Sequence, residues 1–177
     1  MNTFNMQYGA IRLCVPAGTL IALLYIGEHQ TTVVAGSGAE SDVVLKLPVG
    51  SHKTAAEYFQ HHPPTPGEIE NAIAAVEDAV ANARTIISDG TRLFTTDDDI
   101  RRIALISGVP DQPELILTRD AMERTFERLI AVMPGTAGSR EGMPAGVTFF
   151  ATLLILREFM HHLQFSSITV LHEMHQA

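Results

Sequence analysis

The sequence predicts a single α/β domain, and three features predict it. Three short β-rich runs lie at hairpin spacing near the start, a capped amphipathic helix fills the middle, and a long apolar helix followed by a short strand closes the chain. With 177 residues the chain has the length of one domain, 1–177, and enough material for one buried core. Hydrophobic residues make up 46% and charged residues 18%, a balance that excludes disorder driven by charge.

Thr19 to Ile26 is a continuous apolar run of strand length that ends at Gly27, as in a strand buried on both faces. Thr31 to Ala35 reads as a second strand. The turn signal Gly36-Ser37-Gly38 follows, and Asp42 to Val49 supplies a third strand. The clearest helix start is Thr65-Pro66-Gly67-Glu68, where Thr65 can cap, Pro66 suits the first helical position and Glu68 completes a capping box. Ile69, Ala72, Ile73, Val76, Val80, Ala83 and Ile87 then recur at helical spacing, and the helix should stop before Asp89-Gly90.

Thr91 to Thr95 reads as a fourth strand. Asp97-Asp98-Asp99 leads into a short helix over Ile100 to Ile106 closed by Gly108 and Pro110, with acid at its start to suit the helix dipole. Thr118 opens another helix, with Met122, Phe126, Leu129, Ile130 and Met133 on one face and Pro134-Gly135 at its end. Gly135 to Gly146 is glycine-rich and irregular. Val147 to Phe165 is a helix apolar almost all round at first and amphipathic later, which makes it central, and Ser167 to Val170 is a last short strand before a fraying tail over 172–177.

Composition narrows the function classes. Net charge is −8 and the lysines are Lys46 and Lys53, so the surface lacks the basic face that nucleic acid or anionic lipid requires. No run approaches the roughly 18 apolar residues of a membrane span, and Met1 to Ala10 has no signal-peptide pattern. Cys14 is the single cysteine, which leaves no disulfide framework and no cysteine zinc site and points to a cytoplasmic protein. A nucleophile elbow, Walker loop and dinucleotide fingerprint are all missing from the sequence.

Short stretches of wording go further. Leu47-Pro48-Val49-Gly50-Ser51, then Pro63-Pro64-Thr65-Pro66-Gly67-Glu68-Ile69, then Leu117-Thr118-Arg119-Asp120, and Gly142-Met143-Pro144-Ala145-Gly146 ahead of Ala151 to Phe159 follow one another in family-like order. In these the chain, from about Tyr8 to Val170, resembles the C-terminal domain of the exopolyphosphatase/guanosine-pentaphosphate phosphatase (Ppx/GppA) family. The resemblance implies an actin-like ATPase (ribonuclease H-like) domain, a central mixed sheet with helices on both faces. It also implies phosphoanhydride hydrolysis with magnesium in a cleft between two domains, of which the first, with its catalytic glutamate, has no counterpart here.

The loops that would carry that chemistry are altered. Where the family has a glycine-rich phosphate loop, Asp-Ile-Gly-Gly-Gly-Ser-Thr-Glu, this chain reads Tyr25-Ile26-Gly27-Glu28-His29-Gln30-Thr31-Thr32. Gly27 and Thr31 match. Glu28 and His29 fill glycine positions, Gln30 replaces the serine and Thr32 the glutamate, so bulk and negative charge stand where backbone amides would cradle phosphate. Two readings remain for Gly27 to Thr32: an ordinary hairpin turn, or an anion site with His29 and Gln30 as donors. The family's second loop, Gly-Gly-Thr, falls on Asp97, Asp98 and Asp99, which read either as helix caps or as a magnesium site.

The histidine pairs His61-His62 and His161-His162 and the tail His172-Glu173-Met174-His175 lack the spacing of a helical zinc motif, and the tail pair, three apart, is at most a place for adventitious metal. Neighbours on a helix point about 100° apart, so they read as solvated or half-buried side chains. The expectation is a phosphatase-like domain with degenerate loops, non-catalytic alone and binding or regulatory in role, without catalytic or metal-ligating residues. Magnesium is required only if hydrolysis is retained. The alternative is half of an active site for polyphosphate or guanosine pentaphosphate, completed by another domain or chain. A homodimer or partner chain would cover the orphaned inter-domain face.

Overall fold

The computed structural model describes residues 3–132 and 146–172, in the order α1 (Thr3–Leu13), β1 (Ile21–Ile26), β2 (Thr31–Gly36), β3 (Val43–Leu47), α2 (Ser51–Tyr58), α3 (Pro66–Ala81), a 3₁₀ turn (Asn82–Thr85), β4 (Arg92–Thr95), α4 (Asp98–Ile106), β5 (Glu114–Thr118), α5 (Arg119–Val132), α6 (Val147–His162) and β6 (Ser167–Leu171). The six strands form one mixed sheet ordered β3-β2-β1-β4-β6-β5. β1 pairs antiparallel with β2 and β2 with β3, as hairpin spacing requires. The pairs β1·β4 and β4·β6 are parallel, and β5 returns antiparallel to β6 at the edge.

Alternation along the strands divides the core in two. Ala22, Leu24, Ile26, Val33, Leu93, Leu115, Leu117, Ile168 and Val170 face the large core beneath α2 to α6. Ile21, Leu23, Val34 and Phe94 face the other side, where Tyr8 and Ile11 of α1 cover them. Helices therefore lie on both faces, with α1 on the second. α6 is central as its composition predicts, burying Phe149 to Leu156 without a break. Each large apolar side chain so removed from water is worth about 1.5–3 kcal/mol.

Several boundaries differ from the sequence reading. The helix that begins at Thr65 has the capping box in full, but its α-helical part stops at Ala81 and tightens into the 3₁₀ turn, so Ile87 reaches the core from beyond the helix. α6 ends at His162, not Phe165. Gln164 takes a left-handed φ of 60°, its N–H bonds to the His161 carbonyl, and the Phe165 N–H bonds to the Met160 carbonyl, a helix stop usually built on glycine. α1, α2 and β5 are additional to the expected elements. Met133, Pro134 and the stretch 135–145, including the Gly142 to Ala145 wording, lie outside the described residues, as does the tail from Glu173. No helix among the described residues is long and apolar enough to cross a membrane.

Candidate functional site

The sheet places the two altered loops at neighbouring strand ends. β1 and β4 run parallel side by side, so the turn after Ile26 and the segment after Thr95 emerge at the same edge, where α/β folds place ligand crevices. An open cleft of about 500 Å³ lies there. Thr3, Phe4 and Gln7 from α1 line one side, Tyr25 lies between, and Thr96 to Asp99 line the other. The rings of Phe4 and Tyr25 meet at 5.3 Å between centroids.

Asp97 is the organising side chain. It is 8% exposed and caps α4, one carboxylate oxygen accepting the Asp99 N–H at 2.9 Å and the other the Ile26 N–H at 3.2 Å. Its own N–H donates to Thr95 Oγ1, whose hydroxyl donates to the Leu24 carbonyl. Burial pushes the Asp97 carboxyl up, opposed by the backbone N–H groups that it accepts. A carboxylate of the protein thus sits on the helix-terminal amide that an external anion would otherwise take. Asp98 and Asp99 both line the cleft, and Asp99 pairs with Arg102 at 3.1 Å.

The β1–β2 turn faces α2 instead. Ser51 donates its N–H to the Gly27 carbonyl, while His52 and Lys53 both donate to the Glu28 carbonyl, so the turn closes the helix terminus in place of a side-chain cap. Gly50 makes this approach feasible: a Cβ there would lie 2.5 Å from Glu28 O and 2.6 Å from Gln30 N. Gly27 donates to Gln30 O, tightening the turn. The Glu28 and His29 side chains are mostly exposed and stand 4.0 Å apart. Thr31 is fully buried and donates its hydroxyl to the Val49 carbonyl at 2.8 Å, and Thr32 is buried too.

The structure therefore brings Tyr25 and Asp97 to Asp99 into one cleft and leaves Gly27 to Thr32 outside its lining. The α1 contribution had no sequence signal, because α1 itself was not legible. Both Asp97 oxygens are committed to backbone N–H groups and Asp99 is paired with Arg102, which is a poor fit to the several free oxygens that magnesium demands.

Neither a family model nor a curated protein sequence matches this chain. Solved structures do. The Aquifex aeolicus Ppx/GppA phosphatase superposes with a TM-score of 0.77 at 18% identity, over 93% of this chain and 57% of that one. An exopolyphosphatase from Cytophaga hutchinsonii gives a TM-score of 0.73 at 13% identity, again over 93% of this chain and 57% of the other. An exopolyphosphatase-like protein gives 0.69 at 14% identity. The fold is that of the Ppx/GppA phosphatase structures, and the chain spans a little over half their length.

Proposed function

We propose that the chain is a Ppx/GppA-type domain that does not hydrolyse phosphoanhydrides by itself and that acts by binding or regulation. One observation carries this reading: the Asp97 carboxylate occupies the amide of the α4 terminus and the Ile26 N–H, where a phosphate oxygen would need them. Displacing it means driving a buried carboxylate away from its donors while a second anion approaches. Asp98 and the exposed Glu28 add repulsion nearby.

The test is phosphate release from polyphosphate and from guanosine pentaphosphate, with magnesium and the purified chain alone. No release above the blank is expected. Turnover that disappears in Glu28→Gln or Asp98→Asn would reject the reading.

A second reading is favoured by the matched length, a little over half of each solved relative. In it another domain or chain completes the site, and the open cleft beside Tyr25, which is 41% exposed, is the face to be covered. Activity that appears only when that partner is supplied distinguishes it. A second copy of this chain is the remaining occupant of the same face, and light scattering separates monomer from dimer.

A further inference from the structure

We propose that Glu77, Glu158 and His162 form a binding site for a divalent transition-metal ion of the zinc class. The three residues come from α3 and α6, which contribute nothing to the cleft. Glu158 and His162 are four apart on α6 and therefore share one face, and Glu77 reaches them from α3. His162 Nε2 lies 3.1 Å from Glu77 Oε1 and 3.3 Å from Glu158 Oε2, and one donor atom from each residue falls within 4.8 Å of the others. Two ligands of a tetrahedral zinc ion, each about 2.0–2.1 Å from the metal, stand about 3.3 Å apart. The imidazole-to-carboxylate separations thus match the edges of such a site.

The surroundings prepare these ligands. Glu158 is 1% exposed, and Arg157 takes its Oε1, which leaves Oε2 turned toward His162. Arg157 is fixed in turn by Glu123 on α5 at 2.8 Å. Outer partners of this kind orient metal-ligating carboxylates. His161 stands edge-on to His162 and turns toward Glu123, 4.0 Å away, out of the site. Glu77 and His162 are only half-buried, which gives an ion an entry path and leaves room for water on its open side. One imidazole with two carboxylates suits zinc, cobalt or nickel, whereas magnesium prefers oxygen alone.

The experiment strips the full chain with chelator, then titrates it with zinc chloride and separately with magnesium chloride, following bound metal by mass spectrometry and thermal stability together. One zinc per chain is expected, with a raised melting temperature and no competition from magnesium. Cobalt(II) should develop visible absorption. His162→Gln and Glu77→Gln should each weaken zinc binding by more than about tenfold and abolish the cobalt spectrum, given that loss even of an outer partner costs about 10–100-fold. Because Glu77 is half-exposed, Glu77→Gln keeps the fold, which melting without metal verifies. A His172→Gln/His175→Gln double variant should bind as the parent does. The proposal is overturned by the absence of saturable zinc binding, by binding that survives in both His162→Gln and Glu77→Gln, or by binding that vanishes with the double variant.

Discussion

Glu68 ties three pieces of chain together with one carboxylate. Its Oε2 accepts the Thr65 N–H at 2.8 Å, while Oε1 accepts the Gln60 N–H at 2.9 Å and meets His61 Nδ1 at 2.8 Å. The His61 bond foremost, and then the Thr65 N–H, pull its carboxyl down from 4.5 to about 2. A carboxyl lowered by folding adds stability that is complete above its unfolded value and is lost as pH falls through its folded one. Stability should therefore decline from about pH 4.5 toward pH 2, and Glu68→Gln should flatten that limb. Urea unfolding at a series of pH values measures both slopes; identical slopes would show that the bonds do not form. Asp97 acts in the opposite sense, since burial pushes its carboxyl up and ionising it costs stability as pH rises through that raised range.

At the scale of elements, α2 depends on a partner more than twenty residues earlier in the chain. Its first-turn amides end on Gly27 and Glu28 carbonyls, and Gly50 is what lets the two backbones touch. Gly50→Ala would set a methyl 2.5 Å from Glu28 O, a main-chain atom that two amides already hold in place. The expected loss is about 2–3 kcal/mol, read from the shift of the urea midpoint. A loss below about 0.5 kcal/mol, the range of ordinary surface changes, would mean that turn and helix are not in contact.

The same dependence explains what could be read in advance. α3 and β1 were legible because their signals are local: a complete capping box, and an apolar run between a turn and Gly27. α2 was not, since its cap is supplied across space by main chain. β5 is five residues long, sits at the sheet edge and shows Ile116 to solvent, so its Leu115 and Leu117 look like a fragment of loop. α1 buries an arginine where a pattern reader expects a solvated one. Of the cleft, Tyr25 and the aspartates were visible in the sequence. The α1 wall was not, and the Glu-x-x-x-His spacing of Glu158 and His162 was there to find but lacked Glu77, which only the packing of α3 supplies.

For the whole molecule, the unequal division of the core decides what opens first. α2 to α6 share the large cluster, whereas α1 holds its face of the sheet with Tyr8 and Ile11 over Ile21, Leu23, Val34 and Phe94. What compensates is Arg12, 9% exposed, whose guanidinium donates to the carbonyls of Val15, Pro16, Thr19 and Ser37 and so pins the helix to the start of β1 and to the β2–β3 turn. Arg12→Met keeps an unbranched apolar stem but removes the guanidinium and strands those carbonyls, at an expected loss of about 2–3 kcal/mol. Because the wall of the cleft is the start of α1, the loosened helix should also uncover Tyr25. Hydrogen exchange gives the sharper readout: amides of Tyr8 to Arg12 should exchange faster in the variant while those of Leu153 to Phe159 keep their protection, as expected when one unit opens by itself. If both helices lose protection together, α1 is an integral part of one cooperative core, and the picture of a separately held wall fails.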